Sequence, residues 1–257
     1  MKILISPAKK MRTDTDTLSP QALPAFLPET ERLLSALRSL SRQELKQLWR
    51  CSDAITDLNV ERLARMELGK GLTPALLSYQ GIQYQYMAPG VFETGQFTYL
   101  QEHLRILSGF YGVLRPFDGV TPYRLEMQAK LSVDGSRDLY GYWGDAVYRE
   151  LTDGEDHPLI VNLASKEYSR AVEPWLRPGD RFVTCVFGEE GTDRNGRPKV
   201  KATQAKMARG SMVRYLAEIR GETEEDLKGF QEEGFRFRED LSGDGELVFI
   251  RKPEDRT

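Results

Sequence analysis

The stretch HLRILSGFYGVLRPFDGVTPYRLEM (His103–Met127) has an apolar pattern with helical spacing that is broken at SGFYG. The apolar residues before the break continue the preceding segment GQFTYLQEHLRILSG as one helix, and those after it fit a second helix that Pro116 ends. Gly109 and Gly112 allow the tight turn that such a connection needs. The stretch therefore predicts an αα-hairpin at about residues 95–116.

This predicted hairpin suggests a phosphate-binding role. The free N–H groups at the start of the second helix would hold one phosphate oxygen, and Arg105 and Arg115 flank the turn as charge partners. Contacts of that kind bind a nucleic-acid backbone without distinguishing bases. The alternative is a helix C-cap followed by a buried turn, in which Phe110 and Tyr111 are core residues.

The rest of the chain mixes strand and helix patterns. KILIS, PLIVNLAS, RFVTCVFGEE and KVKAT predict strands, YRLEMQAKLSV alternates like a strand, and TDRNGRPK predicts a turn. Pro28 to about Gln80 is predicted to be a helical layer, with a capping box at Ser41 and Glu44. GFRFRED and GELVFIRK predict a β-hairpin. We expect an α/β (α+β) fold, a single domain over residues 1–257 with a mixed β-sheet flanked by helices.

The charge of the chain is locally uneven. The formal net charge is -3, so global charge gives no indication of nucleic-acid binding. Eight basic residues and one acidic residue lie between Arg194 and Arg220, and an acidic tail follows. Lys206 and Arg209 are three residues apart and share a helix face, which favours anion binding. A solvated basic face neutralised by the acidic tail is the alternative.

Several classes of protein are disfavoured by residue content. Cys51 and Cys185 are isolated, which argues against a zinc or redox pair, and neither His103 nor His157 follows a glutamate at the spacing of di-iron carboxylate proteins. No apolar run is long enough for a membrane span, and the N-terminal run is too short for a signal sequence. We expect a cytoplasmic protein with no membrane partner, no metal site and no cofactor.

Five blocks occur in order along the chain: ILISPAKKM, HLRILSGFYGVLRPFDGVTPYRLEM, DLYGYWGD, VNLASKEY and AKMARGSMVRY. Together they resemble the YaaA family of peroxide-stress proteins, and they span nearly the whole chain. The resemblance implies one domain of unusual α/β topology with a helix-hairpin-helix element and a positively charged cleft. It also implies a link to survival of hydrogen peroxide, to lowering unincorporated iron and to binding of duplex DNA.

Two sets of candidate site residues follow from these blocks and from the hairpin. The DNA-binding or anion-binding candidates are Lys9, Arg105, Gly109, Gly112, Arg115, Arg124, Lys206 and Arg209. The candidates for lining the cleft are Tyr123, Glu126, Trp143 and Asn162. Arg124 and Glu126 are expected to form an ion pair, Trp143 either stacks a base or packs in the core, and Asn162 either joins the core or faces the cleft.

Three functions are compatible with these residues. The first is a protective protein that binds backbone phosphates of double-stranded DNA without sequence preference. The second is an enzyme that acts on a phosphorylated or nucleotide-like small-molecule anion in a basic cleft. A deep, narrow cleft would favour the enzyme, and an open groove wider than about 10 Å would favour the duplex. The third, an iron-binding protein, is disfavoured by the shortage of ligands.

Overall fold

The computed structural model describes residues 1–153, 155–192 and 198–251. The strands in these ranges are β1 (Lys2–Ile5), β2 (Lys10–Met11), β3 (Thr73–Pro74), β4 (Tyr79–Gln80), β5 (Leu104–Ser108), β6 (Gly112–Leu114), β7 (Gly119–Val120), β8 (Leu159–Leu163), β9 (Arg181–Thr192), β10 (Pro198–Lys199), β11 (Phe235–Phe237) and β12 (Glu246–Arg251). Residues 193–197, the centre of the predicted turn TDRNGRPK, lie outside the described residues.

Helices occupy the connections between most of these strands. They are α1 (Leu27–Ser39), α2 (Arg42–Trp49), α3 (Asp53–Arg65), α4 (Ala75–Ser78), α5 (Ile82–Met87), α6 (Thr94–His103), α7 (Leu139–Trp143), α8 (Ala146–Thr152), α9 (Lys166–Ser169), α10 (Ala202–Ile219) and α11 (Glu224–Lys228). Short 3-10 turns lie at Pro89–Val91, Glu173–Trp175, Glu232–Gly234 and Glu239–Leu241.

One mixed sheet organises the described part of the chain. Its strand order is β11-β12-β9-β8-β1-β5-β6, with β10 paired to β9. The five strands β12, β9, β8, β1 and β5 are mutually parallel, whereas β6, β10 and β11 pair antiparallel to their neighbours. Parallel strands are covered on both faces, which explains why KILI in β1 and LIVNL in β8 are nearly continuous apolar runs. The expected mixed sheet flanked by helices is confirmed.

The order of the central strands creates a topological switch point. The chain leaves β1 and pairs β5 on one side of it, then returns after β6 to place β8 on the other side. The loops that follow β1 and β8 therefore diverge at the carboxyl edge of the sheet, where open α/β sheets bind their ligands. Ser6 and Ser165 join these loops, since the backbone N–H of Ser165 donates to Ser6 Oγ at 2.8 Å.

The predicted helix-hairpin-helix at about residues 95–116 is wrong. The first helix, α6, ends at His103, and the chain continues as β5 and then turns into the antiparallel strand β6. The turn is closed by Ser108 Oγ, which accepts the N–H groups of Phe110 and Tyr111 at 3.1 and 2.9 Å. Both aromatic rings are fully buried, so the alternative of a buried turn with these residues in the core is correct.

Two other local predictions have different outcomes. The capping box of α2 is present, with Glu44 accepting the N–H of Ser41 at 2.8 Å, and α2 packs against α3 as an αα-hairpin through Arg50 in the left-handed region. The segment YRLEMQAKLSV keeps an alternating burial pattern but forms no strand in the structure. Its backbone crosses over Gly109 instead, where a Cβ would lie 2.6 Å from the carbonyl oxygen of Leu125.

A search of the described helices for a membrane span finds none that is both long and apolar enough to cross a bilayer.

Candidate functional site

A cavity of about 440 Å³ lies at the switch point of the sheet. Its walls come from the loop after β1, the loop and helix after β8, the start of α5, the segment 123–126 and one face of α10. Six of the residues singled out from the sequence line this one cavity: Lys9, Tyr123, Arg124, Glu126, Lys206 and Arg209. We refer to it below as the switch-point cavity.

Arg124 and Glu126 form the predicted ion pair on one wall. Arg124 donates to Glu126 Oε1 at 2.9 Å, and the two side chains are only 10% and 11% exposed. Lys9 reaches the same carboxylate oxygen at 3.2 Å from the loop after β1. Arg124 Nε is buried and has no hydrogen-bond partner in the described ranges. One carboxylate thus orients two cations and leaves part of the arginine unsatisfied.

Helix α10 contributes Lys206 and Arg209 to the cavity lining. The side chain of Lys206 is exposed, whereas Arg209 is partly buried, and desolvation lowers the pKa of its guanidinium. A guanidinium nevertheless stays charged. Within the part of the chain that the structure describes, no carboxylate lies within ion-pair distance of Arg209, and its buried Nε has no partner. The cavity wall therefore carries an uncompensated positive charge.

The position of α10 depends on Gly210. A Cβ at this residue would lie 2.1 Å from the carbonyl oxygen of Gln83, so only glycine lets α5 approach α10 this closely. The contact brings Gln83 beside Arg209 in the cavity wall. Gln83 Nε2 is also buried without a partner in the described chain. The small residues of α10 thus serve helix packing, and the packing places a third unsatisfied donor at the cavity.

Tyrosine hydroxyls hold the floor of the cavity in place. Tyr123 shares hydrogen bonds with Tyr79 at 2.8 Å and with Ser108 at 2.6 Å. Tyr84 donates to the carbonyl oxygen of Ser6 at 3.1 Å and so ties α5 to the loop after β1. Burial raises the pKa of Tyr79, Tyr84 and Tyr123 well above the ordinary tyrosine value, so these groups stay neutral and act as fixed hydrogen-bonding groups.

Glu167 is the second carboxylate on the cavity wall. Burial raises its pKa, the backbone N–H of Gln128 at 3.3 Å opposes this, and the nearby charge of Glu126 raises the pKa further. Tyr140 donates to the backbone carbonyl of Glu167 at 2.8 Å and fixes the start of α9. The charge of Lys9 lowers the pKa of Glu167 in turn, and a partly buried carboxyl group on a cavity wall is positioned to exchange a proton with a bound anion.

Arg105 and Arg115 lie away from the cavity. Arg105 is on β5, is 6% exposed and donates to the carbonyl oxygens of Gln101 and Leu104. Arg115 is exposed and pairs with Glu150 at 3.2 Å. The expectation that these two arginines flank a phosphate-binding turn is not met, because the side chains follow a strand and a surface loop rather than two helices.

Gly109, Gly112 and Trp143 are interior residues. A Cβ at Gly112 would lie 3.0 Å from the rings of Phe26 and Trp143, and the residue has a φ of +73°. Trp143 is 2% exposed, and its indole N–H donates to the carbonyl oxygen of Gly109 at 3.1 Å. The backbone of this turn is covered by the protein itself, so a phosphate cannot approach it. Trp143 packs in the core, which was the alternative to base stacking.

Asn162 lies behind the residues that line the cavity and does not line it itself. Its amide donates to Thr184 Oγ1 at 3.2 Å, and its carbonyl oxygen accepts the N–H of Ala164 at 3.0 Å. The residue therefore shapes the loop after β8 without lining the cavity.

Sequence reasoning missed Gln83, Ser165 and Glu167. The last two could have been found, because they directly follow an apolar strand and polar residues at that edge of a parallel sheet converge.

Among residues 1–153, 155–192 and 198–251, no group of three or more His, Cys, Asp or Glu side chains is arranged to hold a metal ion. His103 Nδ1 instead lies 2.8 Å from the carbonyl oxygen of Met1, and His157 lies beside Asp156 and Asp180.

Comparison with known proteins now gives the family. Residues 1–241 match the family model described as peroxide stress protein YaaA. A UPF0246 protein of Agathobacter rectalis is 51% identical over 252 residues, which is 98% of this chain and 99% of the relative. UPF0246 proteins of Desulfitobacterium hafniense and Pediococcus pentosaceus are 52% and 49% identical, each over 98% of both chains. The chain belongs to the YaaA family of peroxide-stress proteins, the UPF0246 family.

Proposed function

We propose that this member of the YaaA family acts in peroxide stress by binding a phosphate-bearing small molecule in the switch-point cavity. The observation that carries the proposal is that Gln83, Arg124 and Arg209 each line this cavity and each keep a buried N–H without a partner in the described chain. Lys9 and Lys206 add two ammonium groups. Phosphate oxygens accept several charge-assisted hydrogen bonds at once and match this set of donors.

The shape of the site supports a small ligand. A volume of about 440 Å³ lies in the range of small-molecule sites. The cations of the site lie on the walls of this one cavity. Arg105 and Arg115 do not line it, so they do not lengthen it into a charged groove. Among the functions considered, the geometry therefore favours the enzyme that acts on a phosphorylated or nucleotide-like anion. In that role Glu167 would exchange the proton, and Arg124 and Arg209 would hold the phosphate.

Duplex DNA is the second candidate ligand. Lys9, Lys10 and Lys206 line the cavity and are exposed, so a backbone phosphate of a duplex could reach their ammonium groups. Binding through these contacts would tolerate any sequence and weaken steeply with salt, because each phosphate contact releases counterions.

Calorimetric titration with inorganic phosphate tests the first proposal. The wild-type protein should bind phosphate, and Arg209→Ala should weaken binding at least tenfold because it removes the unpaired charge from the wall. Arg214→Ala is the matched control, since Arg214 lies on the same helix, pairs with Glu218 at 2.8 Å and does not line the cavity. Unchanged affinity in folded Arg209→Ala would refute the site.

Fluorescence anisotropy with a labelled duplex at several salt concentrations tests the second candidate. Lys206→Ala should weaken binding equally on unrelated sequences and lower the slope of log K against log salt by about one unit, if Lys206 contacts one phosphate. If the slope of log K against log salt is the same in Lys206→Ala as in the wild type, the duplex binds at another surface of the protein.

The proposal also covers the link between the YaaA family and the level of unincorporated iron. We propose that any such effect acts through the ligand of this cavity, and that the chain itself does not store iron.

A further inference from the structure

A second cavity adjoins the first and shares two of its wall residues. It has a volume of about 600 Å³ and lies between the end of α2 and the segment 128–132. Lys9 and Glu126 line both cavities, so their ion pair is the common wall. Because the side chain of Lys9 is 67% exposed, this wall is formed in part by a flexible group that a ligand can displace.

The second cavity combines apolar walls with polar and charged side chains. Leu48 and Leu131 give it apolar walls, and the exposed side chains of Gln47 and Gln128 supply amide donors and acceptors. Trp49 also lines it, is 2% exposed and keeps a buried indole N–H without a partner among the described residues. A pocket that combines apolar walls with amide groups and with the charged side chains of Glu44, Arg50 and Lys130 is suited to a flat heterocycle with its own donors and acceptors.

We infer that the two cavities hold the two ends of one nucleotide, and this inference rests on the proposed function. The phosphate would lie against Arg124 and Arg209, and the sugar would pass the Lys9–Glu126 pair. The base would lie between Leu48 and Leu131 within reach of the two glutamine amides. A phosphorylated sugar without a base would fill only the first cavity. Leu48 and Leu131 would then remain in contact with water, and the favourable free energy of burying them against a base would be lost.

The nucleotide could be free or part of a DNA strand, since both present the same phosphate, sugar and base. The exposed lysines Lys10 and Lys206 line the first cavity and would contact the phosphodiester of a longer strand. The chemistry that the site would recognise is therefore one nucleotide unit, and a competition experiment distinguishes the two sources.

Calorimetry with matched ligands tests the inference. The probes are inorganic phosphate, ribose 5-phosphate and the four nucleoside 5′-monophosphates AMP, GMP, CMP and UMP. We expect at least one nucleoside monophosphate to bind tenfold or more tightly than ribose 5-phosphate. The double variant Gln47→Ala, Gln128→Ala should reduce this preference without changing the affinity for ribose 5-phosphate, whereas Arg209→Ala should weaken every ligand and Arg214→Ala should change none.

The outcomes separate the inference from the function on which it rests. If phosphate and ribose 5-phosphate bind but no nucleoside monophosphate binds more tightly, the nucleotide is refuted and the anion site stands. If no ligand binds, the proposed function itself fails. A single-stranded DNA that displaces the bound nucleotide at a tenfold lower concentration than ribose 5-phosphate assigns it to DNA, and a strand that does not displace it assigns it to the free pool. Either displacement result supports the nucleotide unit.

Discussion

Asp118 is a buried carboxyl group whose ionisation is opposed by the fold. It is 3% exposed, and burial raises its pKa from an ordinary value of 3.8 to about 6, although the N–H of Arg115 at 2.8 Å and the charges of Arg115 and Arg105 oppose this shift. A folded-state pKa above the unfolded value stabilises the protein at low pH, and this contribution is lost as pH rises through about 6.

We expect Asp118→Asn to stabilise the protein at pH 8 by up to about 3 kcal/mol relative to the wild type, and by little at pH 4. The amide keeps an acceptor for the N–H of Arg115 but cannot ionise. Urea unfolding of both proteins at pH 4, 6 and 8 measures the difference. A difference in unfolding free energy that does not grow with pH would contradict this assignment.

Single residues show where sequence reasoning about the site was sufficient. Lys206 and Arg209 could be paired because a helix places residues three apart on one face, and Arg124 and Glu126 could be paired because extended backbone places alternate residues together. The unpartnered N–H groups of Arg124 and Arg209 could not be predicted, because they depend on which acids approach in three dimensions. Arg105 was misassigned because a buried strand arginine has the same local pattern as a surface helix arginine.

Helices α5 and α10 form the closest helix pair of the site, and their contact depends on Gly210. Alanine normally favours a helix over glycine by about 1 kcal/mol. Here its Cβ would lie 2.1 Å from a backbone oxygen of α5, which cannot move without shifting the helix. Overpacking costs about 1–3 kcal/mol or more, so the clash outweighs the propensity.

We therefore expect Gly210→Ala to lower the melting temperature and to weaken phosphate binding, since the clash separates Gln83 from Arg209. Thermal denaturation and calorimetry measure the two effects. Gly69→Ala is the matched control, because a Cβ there would meet nothing within 4 Å. Equal melting temperatures for the two variants would show that α5 accommodates the added methyl group without cost.

Strands and helices differ in how well the sequence specifies them. β1, β8 and α10 were predicted because short, nearly continuous apolar runs are typical of buried strands and because α10 has helical spacing. The stretch after α6 was misassigned because Leu104 and Leu107 continue the helical face of Leu100, whereas in the structure these two residues belong to β5, which is buried on both faces of the sheet. The strand conformation of this stretch is determined by its pairing with β1, in which Leu104 lies opposite Ile3 and Ile106 opposite Ile5. Local periodicity carries no information about this long-range pairing.

At the scale of the whole molecule, we predict no tight iron site. Fe(II) needs several imidazole or carboxylate ligands in one place, and the two histidines, His103 and His157, occur in different parts of the structure. Anaerobic titration of the purified chain with Fe(II) should show no stoichiometric binding at submicromolar concentration. A clear one-to-one endpoint would contradict the prediction and would support the iron-binding function.

The location of the site is a property of the complete topology. The sequence contained its strands and most of its cations, but the switch point exists only because β5 and β8 lie on opposite sides of β1. Neither neighbour can be assigned from the residues of β1 itself. Residues from the loop after β1, α5, the segment 123–126, α9 and α10 therefore meet at a place that no single segment indicates.

The same placement of β1 constrains biosynthesis. Ile3 pairs with Leu104 on one side and with Val161 on the other, so each neighbour is made only after roughly 100 further residues or more have been translated. During that interval KILI is an apolar segment of a nascent chain with no partner for its backbone. Slowed elongation after Ser108 would leave β1 half-paired and prone to join another chain at its free edge.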